Sequence, residues 1–220
     1  MRKITIAVVA LLVGGLLLVA GAAQAKQGFY LGLGAASMNV SGDLADPTTW
    51  GCNSNCTSGA LFGQFPGGTG SSLNIGYGFN DNIALEIYSV SSKANSTYSG
   101  GVQFAFPTTV TASMIDLRFS AKIGKESEVF ARLGPSAGLS AAYTRNAVVN
   151  NTVTDSTLSG SGPGYAAGAE IMFGKVGVGF SVAQFTATFD TIEIGGTKYA
   201  YKALGSNTVS TSDVMLSYHF

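Results

Sequence analysis

The chain closes on Val214-Met215-Leu216-Ser217-Tyr218-His219-Phe220, in which apolar and polar side chains alternate up to a terminal phenylalanine. A strand sends successive side chains to opposite faces. Val214, Leu216, Tyr218 and Phe220 therefore share one face, and Asp213, Met215, Ser217 and His219 the other. Chain ends ordinarily fray, so an apolar terminal strand needs a partner that ties it down. A closed barrel in a bilayer supplies that partner. Hydrocarbon offers no water to the backbone, so the last strand must bond back to the first. The ending points to a membrane barrel.

At the other end, Arg2 and Lys3 precede the apolar run Ile4 to Val19, which leads into Ala23-Gln24-Ala25. A basic start, an apolar centre and a small-residue site make a secretory signal peptide. A spanning helix is the competing interpretation, since the run is only a little short of what a bilayer requires. The small residues before Lys26 favour cleavage, so residues 1–25 are set apart and residues 26–220 form the expected barrel domain. Losing Arg2 and Lys3 removes two of the 12 basic residues and none of the 12 acidic ones, which leaves the mature chain mildly acidic. Its scattered Lys and Arg make no footprint for nucleic acid. With 30 glycines, 11% charged residues and no later apolar run of spanning length, the composition fits a barrel.

Connectors give the strand number. Three links are tight: Asn80-Asp81-Asn82, Gly124-Lys125-Glu126-Ser127-Glu128 and Gly174-Lys175. Four are long and rich in Gly, Ser, Thr and Asn, running through Ser41 to Thr69, Asn95 to Thr109, Asn146 to Ser161 and Gly195 to Asn207. The two kinds alternate. Seven connectors predict an all-β, eight-stranded antiparallel transmembrane barrel with three short periplasmic turns and four long extracellular loops.

Within the strands, odd and even positions separate. Phe29, Leu31 and Leu33 oppose Tyr30, Gly32 and Gly34, and Leu73, Ile75, Tyr77 and Phe79 oppose Asn74, Gly76 and Gly78. The fourth strand is clearest, with Ile115, Leu117, Phe119, Ala121 and Ile123 against Asp116, Arg118, Ser120 and Lys122. In the fifth, Val129, Ala131, Leu133, Leu139 and Tyr143 keep one parity, and Pro135 predicts a bulge or bend because it cannot donate to a ladder. The seventh runs outward through Val176, Val178, Phe180 and Val182. It then changes parity to Phe185, Ala187 and Phe189, predicting a bulge near Ala183 and Gln184. A soluble sandwich also alternates. Its bulky core is missing here, since Gly, Ala, Ser and charged groups occupy the inner parity.

Glu86, Asp116, Arg118, Lys122, Arg132, Glu170 and Asp213 all fall on the inward parity. An Arg or Lys facing lipid near the midplane costs about 2 to 4 kcal/mol, so inward placement is the expected register. Their signs nearly balance. They are expected to form an interior ion-pair network, with a polar path for a small solute as the sharper alternative. Eight strands leave an interior just wide enough for side chains, which excludes a general porin.

The signal segment, Gly28-Phe29-Tyr30-Leu31-Gly32-Leu33-Gly34, Ala84-Leu85-Glu86-Ile87 and the Phe220 ending together resemble the OmpA-like and opacity-type family of eight-stranded outer-membrane barrels. The resemblance covers nearly the whole mature chain. It implies a Gram-negative outer-membrane location, contact with outer-membrane lipid and lipopolysaccharide, and a C-terminal signal read by the barrel-assembly machinery. Val214, Leu216, Tyr218 and Phe220 match that signal. The peptidoglycan-binding domain of full-length OmpA proteins is not expected.

Cys52 and Cys56, in Trp50-Gly51-Cys52-Asn53-Ser54-Asn55-Cys56, fit a disulfide formed in an oxidising compartment. Two thiols without a nearby His make a poor metal site, and no metal or cofactor is expected. Some eight-stranded barrels modify lipid A, which draws notice to Ser217 and His219. Asp213 lies roughly 20 Å from His219 along the strand, so no triad forms within it, although Glu86 or Glu170 could approach from other strands. The sequence thus predicts a non-enzymatic surface protein. Its extracellular loops serve interaction or adhesion with a host or extracellular ligand, and its barrel serves envelope integrity. A narrow channel for small hydrophobic compounds is the alternative, and a lipid A-modifying enzyme a lesser one.

Overall fold

The computed structural model of the protein describes residues 28–42, 67–99, 103–123, 125–149, 152–200 and 207–220. The strands are β1 (Gly28–Ser41), β2 (Gly68–Gly78), β3 (Ile83–Ser99), β4 (Gln103–Lys122), β5 (Ser127–Val149), β6 (Thr152–Ser161), β7 (Pro163–Phe173), β8 (Val176–Ile194), β9 (Thr197–Ala200) and β10 (Asn207–His219). All pairings are antiparallel. β10 pairs with both β1 and β8, so the sheet closes on itself as a barrel of eight staves. β6 and β7 form one stave interrupted at Gly162, pairing with β5 on one side and β8 on the other. β9 extends the β8 edge as a hairpin.

The three tight turns occur where they were expected. Asn80 Oδ1 accepts from the backbone N–H groups of Asn82 and Ile83, each at 2.9 Å, holding the β2–β3 turn. Gly174 takes φ +65° between β7 and β8, a value that an L side chain resists. Two of the four long links are largely strand. β3 continues to Ser99 and β4 begins at Gln103, while β5 continues to Val149 and β6 begins at Thr152. The last link opens with a hairpin at Gly195 and Gly196, both at positive φ. Ser- and Thr-rich stretches resemble loops in sequence. They form strands here because a stave beyond the bilayer needs no apolar outer face.

The barrel's polarity inverts along its axis. Toward the tight turns the outside is apolar: Leu31, Leu33, Leu73, Ile75, Leu85, Ile87, Ile115, Leu117, Val178, Phe180, Val214 and Leu216 are exposed. This band, on the order of 25 Å tall in membrane barrels, is the lipid-facing zone. Beyond it the outer face turns to Ser37, Ser71, Ser89, Ser113, Gln184 and Ser212, while the interior becomes apolar. Met38, Val40, Val90, Val110, Leu158, Phe185, Phe189, Ile192 and Val209 form a buried cluster there. The expectation of small or charged inner side chains therefore holds only at membrane depth. The upper staves enclose a core like that of a soluble protein.

This core corrects two registers. No bulge occurs near Ala183 and Gln184, where β8 pairs without interruption with both β7 and β10. Phe185 and Phe189 consequently point inward, each 0% exposed, and the irregularity falls instead opposite Ser159 and Gly160, at Asp190. In β5 the bulge lies just past Pro135. Met114 pairs with Ser136 and Ser113 with Gly138, leaving Ala137 extra. Parity flips there, so Ala141 is buried although Leu133, at another odd position, is exposed. The expected continuous parity from Leu133 to Leu139 and Tyr143 fails for that reason.

Candidate functional site

At membrane depth, β3, β4, β5 and β7 aim charged side chains at one point of the lumen. Arg118 sits at the centre. Its Nη1 is 3.2 Å from Glu86 Oε1, and its Nη2 is 2.8 Å from Glu170 Oε2 and also bonds Glu128. Its Nε donates to Ser120 Oγ at 3.1 Å. Arg132 Nε stands 2.6 Å from Glu86 Oε2, an ion pair whose alignment falls outside hydrogen-bond geometry. The two guanidinium groups share Phe130, with ring centroid distances of 4.1 Å for Arg118 and 4.6 Å for Arg132. Arg132 also lies 5.0 Å from the Tyr88 ring centre. Cation–π contacts of this desolvated kind contribute about 2 kcal/mol or more.

Small residues make room for these groups. A Cβ at Gly76 would collide with the Tyr30 ring, and one at Gly168 with the Phe130 ring. Each glycine faces that aromatic residue across the adjacent strand. Tyr30 then donates its hydroxyl to Glu86 and stacks on His219, with centroids 4.9 Å apart.

Of the expected network, Glu86, Arg118, Arg132 and Glu170 lie together. Lys122 is only partly buried at the tight-turn end. Among the described residues the fully buried charges are Arg118 and Arg132 against Glu86, Asp116, Glu128, Glu170 and Asp213. Not every charge finds an opposite partner. Neither oxygen of Asp116 accepts a hydrogen bond among the described residues, and Asp213 has Ser181 as donor to Oδ1 only. Glu128 belongs to the tight link in sequence, yet β5 begins at Ser127 and Glu128 shares the even parity of Phe130 and Arg132. Extending β5 by one position finds it.

At the mouth on the tight-turn side, Ser217 donates to Glu170 and lies 3.4 Å from His219 Nε2, while that same nitrogen is 3.7 Å from Glu170 Oε1. A nucleophile relay needs the two ring nitrogens to divide these partners. Here one nitrogen faces both. A small open pocket beside this group is lined by Tyr30, Asn80, Asp81, Arg118, Glu128 and His219. No group of three or more His, Cys, Asp or Glu suited to a metal occurs among the described residues.

Val214, Leu216, Tyr218 and Phe220 all face outward on β10. Phe220 N–H donates to Phe29 O at 3.0 Å, closing the ring of strands. Cys52, Cys56 and Trp50 lie outside the described residues, as do residues 1–27.

An apolar exterior at membrane depth, charges sealed within and a last strand bonded to the first define an outer-membrane barrel protein. Residues 8–220 match the family described as outer membrane protein beta-barrel domain, and the chain belongs to that family. No curated protein sequence matches it. Among solved structures, Ail, the attachment invasion locus protein of Yersinia pestis, is similar at 14% identity and a TM-score of 0.51, covering 88% of this chain and 99% of that one. Ail has also been solved with the heparin analogue sucrose octasulfate. OprG from Pseudomonas aeruginosa is similar at 13% identity and a TM-score of 0.55, covering 89% of this chain and 97% of that one.

Proposed function

We propose that this protein is a non-conducting, non-enzymatic outer-membrane barrel that meets extracellular partners through the part it projects beyond the bilayer, and that its barrel also supports envelope integrity. The polarity inversion carries the reading. Staves that continue past the lipid zone around their own apolar core make a rigid pedestal, and binding usually resides in loops held by such a scaffold. The sealed lumen supports the non-conducting part, since Tyr88, Phe185 and Phe189 are 0% exposed. The shared His219 nitrogen supports the non-enzymatic part. Ail, with its heparin analogue, is an instance of this fold carrying a sulfated saccharide.

Binding of whole cells to heparin and to host-type matrix surfaces, after shortening 43–66 and 201–206 separately, tests the surface role. Binding lost with either segment supports it; binding unchanged by both removes it. Planar-bilayer recording tests the closed lumen, and steps of stable conductance would overturn that part. Cleavage after Ala25 and pairing of Cys52 with Cys56 belong to the same reading, and the mass of the processed, non-reduced protein checks both.

One observation favours a second reading, a narrow path for small hydrophobic compounds. Pro135 faces Pro163 where β5 passes from β7 to β6, and neither residue can donate to the ladder. The weakened seam lies at the top of the apolar band, next to the apolar core. Faster uptake of a lipophilic dye by producing cells, lost when both prolines are replaced by Val, would favour this reading.

A further inference from the structure

Asp116 is 1% exposed, and among the described residues neither of its carboxylate oxygens accepts a hydrogen bond. The ladder sets it directly opposite Glu86 across β3 and β4, where facing Cβ atoms stand about 4.5 to 5.5 Å apart. Both residues are buried on the lumen side. On the other flank, Gly134 comes so close that a Cβ there would meet Asp116 Cα at 2.7 Å, and a glycine offers no side-chain donor. The charged groups that act on Asp116 are Glu86 from β3, Arg132 from β5 and Arg118 on its own strand. Both guanidinium groups turn to other carboxylates: Arg118 to Glu86, Glu128 and Glu170, and Arg132 through Nε to Glu86.

We propose that Glu86 and Asp116 hold one proton between them, carried on Asp116, so that the barrel wall contains a neutral carboxylic acid at neutral pH. Like charges facing each other across a ladder repel, and two carboxylates in one water-poor site do not both ionise. Donors decide which one keeps its charge. Glu86 accepts from Tyr30 and Arg118 and pairs with Arg132, whereas Asp116 has no such support. A proton on Asp116 removes the repulsion and makes one of its oxygens a donor. In the unfolded chain the same side chain ionises near the usual carboxylate value of about 4. Folding above that pH therefore takes up a proton at Asp116, and this site favours the folded barrel less as pH rises.

Infrared spectra of the full chain, folded in phospholipid vesicles at neutral pH, test the proposal. A protonated-carboxyl stretch is expected, moved by isotope labelling of aspartate carboxyls and not of glutamate carboxyls, and lost in Asp116→Asn. Asp213→Asn should keep it, which assigns the band to Asp116 even if Asp116→Asn fails to fold. Urea titration gives the second readout. Asn has the same shape and no charge, so the Asp116→Asn midpoint should equal or exceed the parent's, with the gap widening from mildly acidic to mildly alkaline pH. Absence of the band, a band moved by glutamate labelling, a band kept in Asp116→Asn or one lost in Asp213→Asn overturns the proposal. So does an Asp116→Asn midpoint that falls further below the parent's as pH rises, which would make Asp116 an ionised partner of Arg132.

Discussion

Arg132 Nε stands 2.6 Å from Glu86 Oε2, and neither side chain reaches solvent. Glu86 accepts hydrogen bonds from Arg118 and from Tyr30, so two donors and the Arg132 ion pair depend on one carboxylate. Removing one partner of a buried pair leaves an uncompensated charge and costs about 3 to 5 kcal/mol. Glu86→Ala is therefore expected to destabilise the barrel by about that amount in urea titrations from lipid vesicles. Glu86→Leu combined with Arg132→Met should cost much less than the sum of the single changes, because Arg118 keeps Glu128 and Glu170. A Glu86→Ala midpoint equal to the parent's would show that the network does not hold the staves.

The polarity inversion places a sharp boundary between Ser113 and Ile115. Both face outward on β4, one step of the pleat apart. A lysine facing lipid costs up to about 2 to 4 kcal/mol, falling toward zero at the interface. Ile115→Lys and Leu117→Lys should thus lower stability progressively, whereas Ser113→Lys should stay within about 0.5 kcal/mol of the parent, as surface changes do. The same urea titration reads all three. A Ser113→Lys cost equal to that of Leu117→Lys would move the bilayer outward and remove the boundary.

That boundary also explains what could be read from sequence. Ile115 to Ile123 alternates against Asp116, Arg118 and Lys122 because one medium lies outside and another inside along that stretch, and period-two contrast reports it directly. Above the boundary the contrast reverses sign. The rule that the apolar parity faces lipid holds only at membrane depth, and applied to Phe185 and Phe189 it predicts a bulge that would reconcile them with Phe180. No such bulge is required once an apolar inner face is allowed. Glu128 is not legible as a strand residue because turn residues and strand residues share the same polar alphabet near Gly124. The meeting of Glu86 with Arg118, Glu128 and Glu170 depends on ring closure and stagger, which no local pattern encodes.

Phe185 tests the upper core. It is fully buried and stacks parallel to Tyr88, with centroids 6.3 Å apart. Truncating a buried phenylalanine costs about 3 to 5 kcal/mol, part of it from the cavity left behind. Phe185→Ala should fall in that range, and Phe180→Ala clearly below it, since lipid fills the outward gap. Neither should conduct in planar bilayers, because Arg132, Phe130 and Tyr88 still block the lumen below. Conductance in Phe185→Ala would show that the apolar core alone is the seal.

Phe220 joins two roles that substitutions can separate. Its N–H closes the barrel onto Phe29 O, and its ring packs edge-on against Tyr218 at 5.1 Å with an interplanar angle of 78°. Deleting Phe220 removes both contacts, whereas Phe220→Ala keeps the backbone bond and loses the ring. An unsatisfied backbone group costs several kcal/mol in hydrocarbon and less at the interface, where this residue lies. Folding into vesicles should therefore be near normal for Phe220→Ala and slower for the deletion. In cells, if the assembly machinery reads an aromatic end, Phe220→Ala should reach the outer membrane poorly and Phe220→Tyr should reach it at the parent level. Equal outer-membrane amounts for all three variants would leave the last residue with a packing role at most. A deficit in vesicles that matches the deficit in cells would assign the effect to barrel closure instead of recognition.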